Sequence, residues 1–162
     1  MRHLAFAAAL MLSSMTAAPV LAQAPATPAS GLSVSEVSAW LTRIGGQVGP
    51  LQRVDGQTFF SVTNAGLTWA VFFYGCREDV CDSVQFSAVV PGAGATPEAV
   101  NAWNRDNRFL KAFRTAGETP SATAQYDVVA LPGAGVEQLT DPLSVWLQLL
   151  PKFATAMGYG AE

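Results

Sequence analysis

Histidine is almost absent from this 162-residue chain: the only one is His3, close to its start. Lysine occurs twice, at Lys111 and Lys152, and cysteine twice, at Cys76 and Cys81. Each scarcity removes a class of chemistry. Without an internal histidine there is no Ser-His-Asp or Cys-His arrangement and no histidine-bound zinc. Neither lysine sits in a motif that would make it the base of a Ser-Lys pair. No spacing marks a carboxylate pair for glycoside chemistry. Gly92-Ala93-Gly94 and Gly133-Ala134-Gly135 match no phosphate-cradling spacing and read as connectors. No stretch reaches the roughly 18 consecutive apolar residues of a membrane-crossing helix. No cofactor and no metal site is implied.

What is present is apolar. Hydrophobic residues make up 50% of the chain and charged residues 13%, which fits one folded domain with a real core. The start reads differently. Met1-Arg2-His3 is followed by an uncharged apolar run from Leu4 to Leu12, then by Ser13, Ser14 and Thr16. Val20 and Ala22 put small residues one and three positions before a cut between Ala22 and Gln23. This is the layout of a secretory signal peptide over residues 1–22. Residues 23–31 form a Pro/Ala-rich leader, and 32–158 the domain. The expected location is the periplasm or the exterior, with no stable membrane anchor after cleavage. Removal of Arg2 leaves 9 − 1 = 8 cations against 12 acids, a net charge of −4. That balance opposes nucleic acid or anionic lipid as a partner.

Periodicity predicts the elements. A helix spans 33–44, with Ser33 or Ser35 as its cap, Val34, Val37, Leu41 and Ile44 on one face, and Gly45-Gly46 as its stop. Strands follow at Gln57–Thr63, Leu67–Tyr74 and Asp82–Val90. Thr96-Pro97-Glu98 starts a second helix that runs to about Asn107. Two more strands, Phe109–Arg114 and Ala122–Leu131, flank a turn at Gly117–Pro120. A last helix begins at Asp141-Pro142 and carries Leu143, Trp146, Leu147, Leu150, Phe153 and Met157 at helical spacing. Pro151 is expected to kink it or to remove one hydrogen bond. The fold class is α+β, in the order α-β-β-β-α-β-β-α, an antiparallel sheet packed by helices.

Cys76 and Cys81 form a C-x4-C pair, and in an oxidising compartment they should join across a hairpin. If they face each other, paired positions sum to 157. Phe73 then meets Val84, Val71 meets Phe86, Trp69 meets Ala88 and Leu67 meets Val90, all apolar. The opposite side pairs Tyr74 with Ser83, Phe72 with Gln85 and Ala70 with Ser87. A redox role would usually use C-x-x-C, and Glu78, Asp79 and Asp82 disfavour a thiolate here. The structural staple is the preferred reading.

Two surfaces stand out as places for a partner. Phe59, Phe72 and Tyr74 should lie on the sheet face away from the core, where they need a cover, a second copy or a ligand. Arg105, Arg108, Lys111 and Arg114 run from the second helix into the next strand, either as a solvated face or as a docking patch for an acidic partner.

The stretch from Trp69 to Ala88 (WAVFFYGCREDVCDSVQFSA) and that from Pro97 to Phe113 (PEAVNAWNRDNRFLKAF) resemble the YbjN family. The Asn101-x-Trp103-Asn104 core, followed by Arg108-Phe109, is the most specific part. Exported members with a cysteine pair are the nearest subset. The resemblance implies a fold like that of type III secretion chaperones, which are small, often dimeric, and bind other proteins without catalysis. It brings no catalytic residue. Asn101, Trp103 and Asn104 are expected to lock the middle helix onto the sheet. The expected function is thus a non-catalytic, protein-binding, chaperone-like or regulatory domain with an unidentified protein partner or a second copy of itself as a homodimer, and with no cofactor. A redox protein using Cys76 and Cys81, or a small-ligand domain with a pocket beside Trp103 and Trp146, are the alternatives.

Overall fold

A computed structural model describes residues 31–115 and 119–159, so the expected signal peptide, the expected leader up to Ser30 and part of the Gly117–Pro120 turn lie outside the described residues. The strands are β1 (Leu32–Ser33), β2 (Gln47–Val48), β3 (Gln52–Val54), β4 (Gln57–Asn64), β5 (Leu67–Tyr74), β6 (Val80–Cys81), β7 (Ser83–Pro91), β8 (Lys111–Thr115) and β9 (Ser121–Val129). The helices are α1 (Val34–Arg43), α2 (Pro97–Asp106) and α3 (Thr140–Ala156), the last entered through a 3₁₀ turn at Val136–Leu139. The expected order is kept. β1, β2, β3 and β6 are additions of two or three residues, too short to leave a pattern in the sequence.

Local chemistry sets the ends of the helices. The Ser33 hydroxyl accepts the Glu36 N–H at 3.3 Å and caps α1. Gly45, at φ +94°, turns the chain away in a conformation that costs glycine little. Ile44 falls beyond the last turn and is exposed rather than part of the buried face. Thr96 Oγ1 accepts the Ala99 N–H at 3.1 Å, and Pro97 opens α2 where no intrahelical donor is needed. α3 continues through Pro151 to Ala156.

The main sheet runs β2-β4-β5-β7-β9-β8, and β3 also pairs with β4. The β5/β7 register has Phe73 opposite Val84, Val71 opposite Phe86 and Phe72 opposite Gln85, the pairing expected from the cysteine positions. All three helices cover one face. Trp40, Trp103, Trp146 and Phe153 pack there with Phe60, Val62, Trp69, Val71, Phe73, Val84 and Phe86 in a single core. Trp146 is its centre, fully buried and edge-on to Trp69 at 5.8 Å. With the helices on one side, the alternation of every long strand sends the remaining side chains to a face that no described helix covers.

Candidate binding face

The helix-free face is built from β4, β5, β7, β9 and β8. Phe59 and Phe72 are direct cross-strand partners, and their rings stack at 4.9 Å with 28° between the planes. Both are half-buried, mostly by each other and by neighbours in the sheet. Beside them runs a polar chain across four strands. The Tyr74 hydroxyl donates to Gln85 Oε1 at 3.4 Å, Gln85 Nε2 donates to Asp127 Oδ1 at 2.5 Å, and Lys111 Nζ donates to Asp127 Oδ2 at 2.8 Å. Farther out, Val89 (58% exposed), Phe113 (44%) and Val129 (72%) lie on the same face. These three went unnoticed in the sequence, although counting by twos from Ser87, Lys111 and Asp127 reaches each of them.

Electrostatics fix the character of this face. Burial, helped by the Asp127 charge, pushes the Tyr74 hydroxyl above its ordinary value, so it stays protonated and acts as a donor. Burial also pulls Asp127 upward, but hydrogen bonds from Lys111 and Gln85 outweigh it and hold the carboxyl below its ordinary value. Asp127 and Lys111 therefore satisfy each other. The face offers apolar rings around a polar strip in which the Lys111 and Asp127 charges are paired with each other.

The four cations do not form one patch. Arg105 is paired with Asp106, at 2.7 Å from Nε to Oδ1, and the Arg108 guanidinium lies 5.0 Å from the centre of the Phe109 ring. Lys111 is on the helix-free face, whereas Arg114 is on the other, donating from Nε to the Ala95 carbonyl at 3.1 Å. An odd separation within a strand puts two residues on opposite faces, a signal present in the sequence but not used.

Cys76 and Cys81 are joined, with Cα atoms 3.9 Å apart, and the loop they close is part of the fold. β6 pairs with β1, Leu32 facing Cys81. The Asp79 carboxylate accepts the hydroxyls of Ser33 (2.8 Å) and Ser35 (2.7 Å), and the Asp79 carbonyl accepts the Val34 N–H at 2.9 Å. Those serine hydrogen bonds hold Asp79 below its ordinary value. The loop thus clamps the start of α1.

The Trp103–Asn104 pair holds α2 to β8. Trp103 is buried against Phe153, and its Nε1 donates to the Leu110 carbonyl at 3.2 Å. Asn104 makes two bonds to one residue: Nδ2 donates to the Ala112 carbonyl at 2.9 Å, and Oδ1 accepts the Ala112 N–H at 2.8 Å. Asn101 is exposed. Trp103 also borders a shallow groove of about 310 Å³ with Ala102, Asp106, Asn107 and Ala156. Trp146 is fully buried and offers a ligand no surface.

A family model described as "Putative bacterial sensory transduction regulator", YbjN, matches residues 33–158. The chain belongs to the YbjN family. Among solved structures, it is similar to the crystal structure of YbjN from E. coli, titled a "putative transcription regulator", with 14% identity and a TM-score of 0.54 over 75% of this chain and 87% of that one. An uncharacterized protein from Methanothermobacter thermautotrophicus aligns with 11% identity and a TM-score of 0.48, over 76% of this chain and 98% of that one. No curated protein matches the chain. At 14% identity the E. coli structure speaks to the fold alone, an α+β domain with an antiparallel sheet packed by helices. Within this YbjN domain, Trp103 and Asn104 have a visible structural task.

Proposed function

We propose that this chain is a non-catalytic, exported protein-binding domain whose binding surface is the helix-free face of the sheet. The observation that carries this reading is the Phe59–Phe72 stack, with Tyr74 beside it, on the side of the sheet opposite all three helices. An aromatic surface of this kind loses free energy to water until something apolar covers it. Its charges are already paired within the face, so the partner that fits is a protein segment with apolar or aromatic side chains rather than a polyanion. The net charge expected after cleavage points the same way. Export is supported by the layout of residues 1–22 and by the cysteine pair, since disulfides persist in oxidising compartments. A regulatory role through protein contact is compatible with the family description.

The test is a double substitution, Phe59→Ser with Phe72→Ser. The variant should keep its near-ultraviolet circular dichroism and lose co-elution with the partner isolated from the host envelope by crosslinking to the native chain. Undiminished co-elution of a folded double variant would contradict the reading.

A further inference from the structure

The main sheet comes apart at one end. β5 stays paired with β4 as far as Leu67 opposite Asn64, and β7 with β9 as far as Pro91 opposite Ser121, but β5 and β7 pair only as far as Ala70 opposite Ser87. The rungs that the cysteine register predicts beyond it, Trp69 with Ala88 and Leu67 with Val90, do not form. The phase of the backbone shows which groups this leaves open. The Ala130 N–H donates to the Asp82 carbonyl at 2.9 Å, so Asp82 and every second residue after it bond toward β9. The residues between them, Val89 included, turn N–H and C=O toward β5. The Gly49 N–H donates to the Ser61 carbonyl at 2.8 Å, so Ser61 bonds toward β2, Val62 bonds toward Trp69, and Thr68 turns N–H and C=O toward β7. Thr68 and Val89 are therefore the next rung, and it is unmade. Both line a cleft of about 200 Å³ between the diverging strands, together with Leu67, Ala88, Val90 and, from α3, Leu150. Leu67 and Leu150 also border a smaller space of about 40 Å³ beside buried Trp69, whose indole N–H has no hydrogen-bond partner among the described residues.

We infer that the split between β5 and β7 is a docking slot for one aliphatic residue of an extended polypeptide segment. The chemistry of the slot selects that class of ligand. The open groups at Thr68 and Val89 are backbone donors and acceptors, and another backbone carries the matching pair. The inner lining is aliphatic and no charged side chain borders the cleft, which suits an aliphatic side chain and no ion. The spare Trp69 donor beside the inner space favours a ligand that brings an acceptor with it. Thr68 and Val89 are exposed on the helix-free face, so the slot opens on the surface proposed above. The inference rests on that reading of protein binding and adds the place where the partner's backbone is held.

The test leaves the protein intact and varies the probe. The isotope-labelled chain is titrated by NMR with three peptides capped at both ends: alanine–leucine–alanine, the same peptide with glycine in place of leucine, and the same peptide with the leucine nitrogen methylated. The first should give saturable shifts of the Thr68 and Val89 amide resonances. The second lacks the aliphatic arm and the third a backbone donor, and each should bind at least about tenfold more weakly. No saturable shift at Thr68 and Val89 overturns the inference. So does equal binding of the three peptides. The Phe59→Ser, Phe72→Ser variant that tests the aromatic face should bind the leucine peptide as the native chain does, so the two readings fail separately. Loss of binding in that folded variant would place the peptide on the aromatic rings and also overturn the slot.

Discussion

Replacing both Cys76 and Cys81 with alanine should lower stability by a modest, calculable amount. The bond closes a six-residue loop, since the two residues are five apart in sequence. For a loop that small, the entropy removed from the unfolded chain corresponds to about 2 kcal/mol. The folded loop is held by more than the bond. Arg77 and Val80 exchange two backbone hydrogen bonds, at 2.8 and 3.1 Å, and Asp79 keeps its serine contacts. The native geometry should therefore survive, and the loss should stay near the entropic figure. With a urea slope of about 1–3 kcal/mol per molar for a domain of this size, the midpoint should fall by about 1 M with the slope unchanged. Amide exchange at Val34, whose N–H bonds to the Asp79 carbonyl, should accelerate more than exchange at Trp146. A midpoint within about 0.2 M of the native one would refute the reasoning, and so would a variant that does not fold, each lying outside the range that loop entropy allows.

Trp146→Ala should cost about 3–5 kcal/mol in urea unfolding, as for other large core truncations. Trp146→Phe should cost far less, about 1 kcal/mol, because it also removes an indole N–H that has no hydrogen-bond partner among the described residues. Asp79 is held below its ordinary value in the folded chain, so its contribution to stability is complete at neutral pH and fades as pH falls through the folded value. Asp79→Asn should flatten that acid limb of the stability curve, with native and variant converging once the pH is low enough to protonate Asp79; parallel curves would contradict the assignment. Asp127→Asn should move the Tyr74 titration, followed by NMR, down toward the ordinary value of 10.0 without reaching it, since burial is the larger cause and remains.

The parts of this fold that were legible in the sequence are those where one periodicity decides. α1, α2 and α3 each bury a stripe of residues three and four apart, and β5 and β7 sort their side chains by twos. The Cys76–Cys81 constraint then fixes the hairpin register, because a slip of one residue would turn Val71, Phe73, Val84 and Phe86 out of the core. Contacts between residues far apart in sequence left no such trace. β1 meets β6 over two residues, and Asp79 reaches Ser33 across 46 positions. The Asn101-x-Trp103-Asn104 stretch was expected to lock the middle helix onto the sheet, but which backbone group Asn104 meets, that of Ala112 in β8, was not written in the stretch itself. The Phe59, Phe72 and Tyr74 face was readable from alternation, but Tyr74, Gln85, Asp127 and Lys111 become one chain only when β9 and β8 are set beside β7.

The central claim is that protein partners meet the face carrying Phe59 and Phe72. The direct measurement places a photo-crosslinking phenylalanine at position 72, and separately at Thr42, an exposed site on α1, in the native host. Illumination should give a discrete protein adduct from position 72, absent from position 42 and lost when Phe59→Ser is added. The same adducts from both positions, or adducts from position 42 alone, would contradict it.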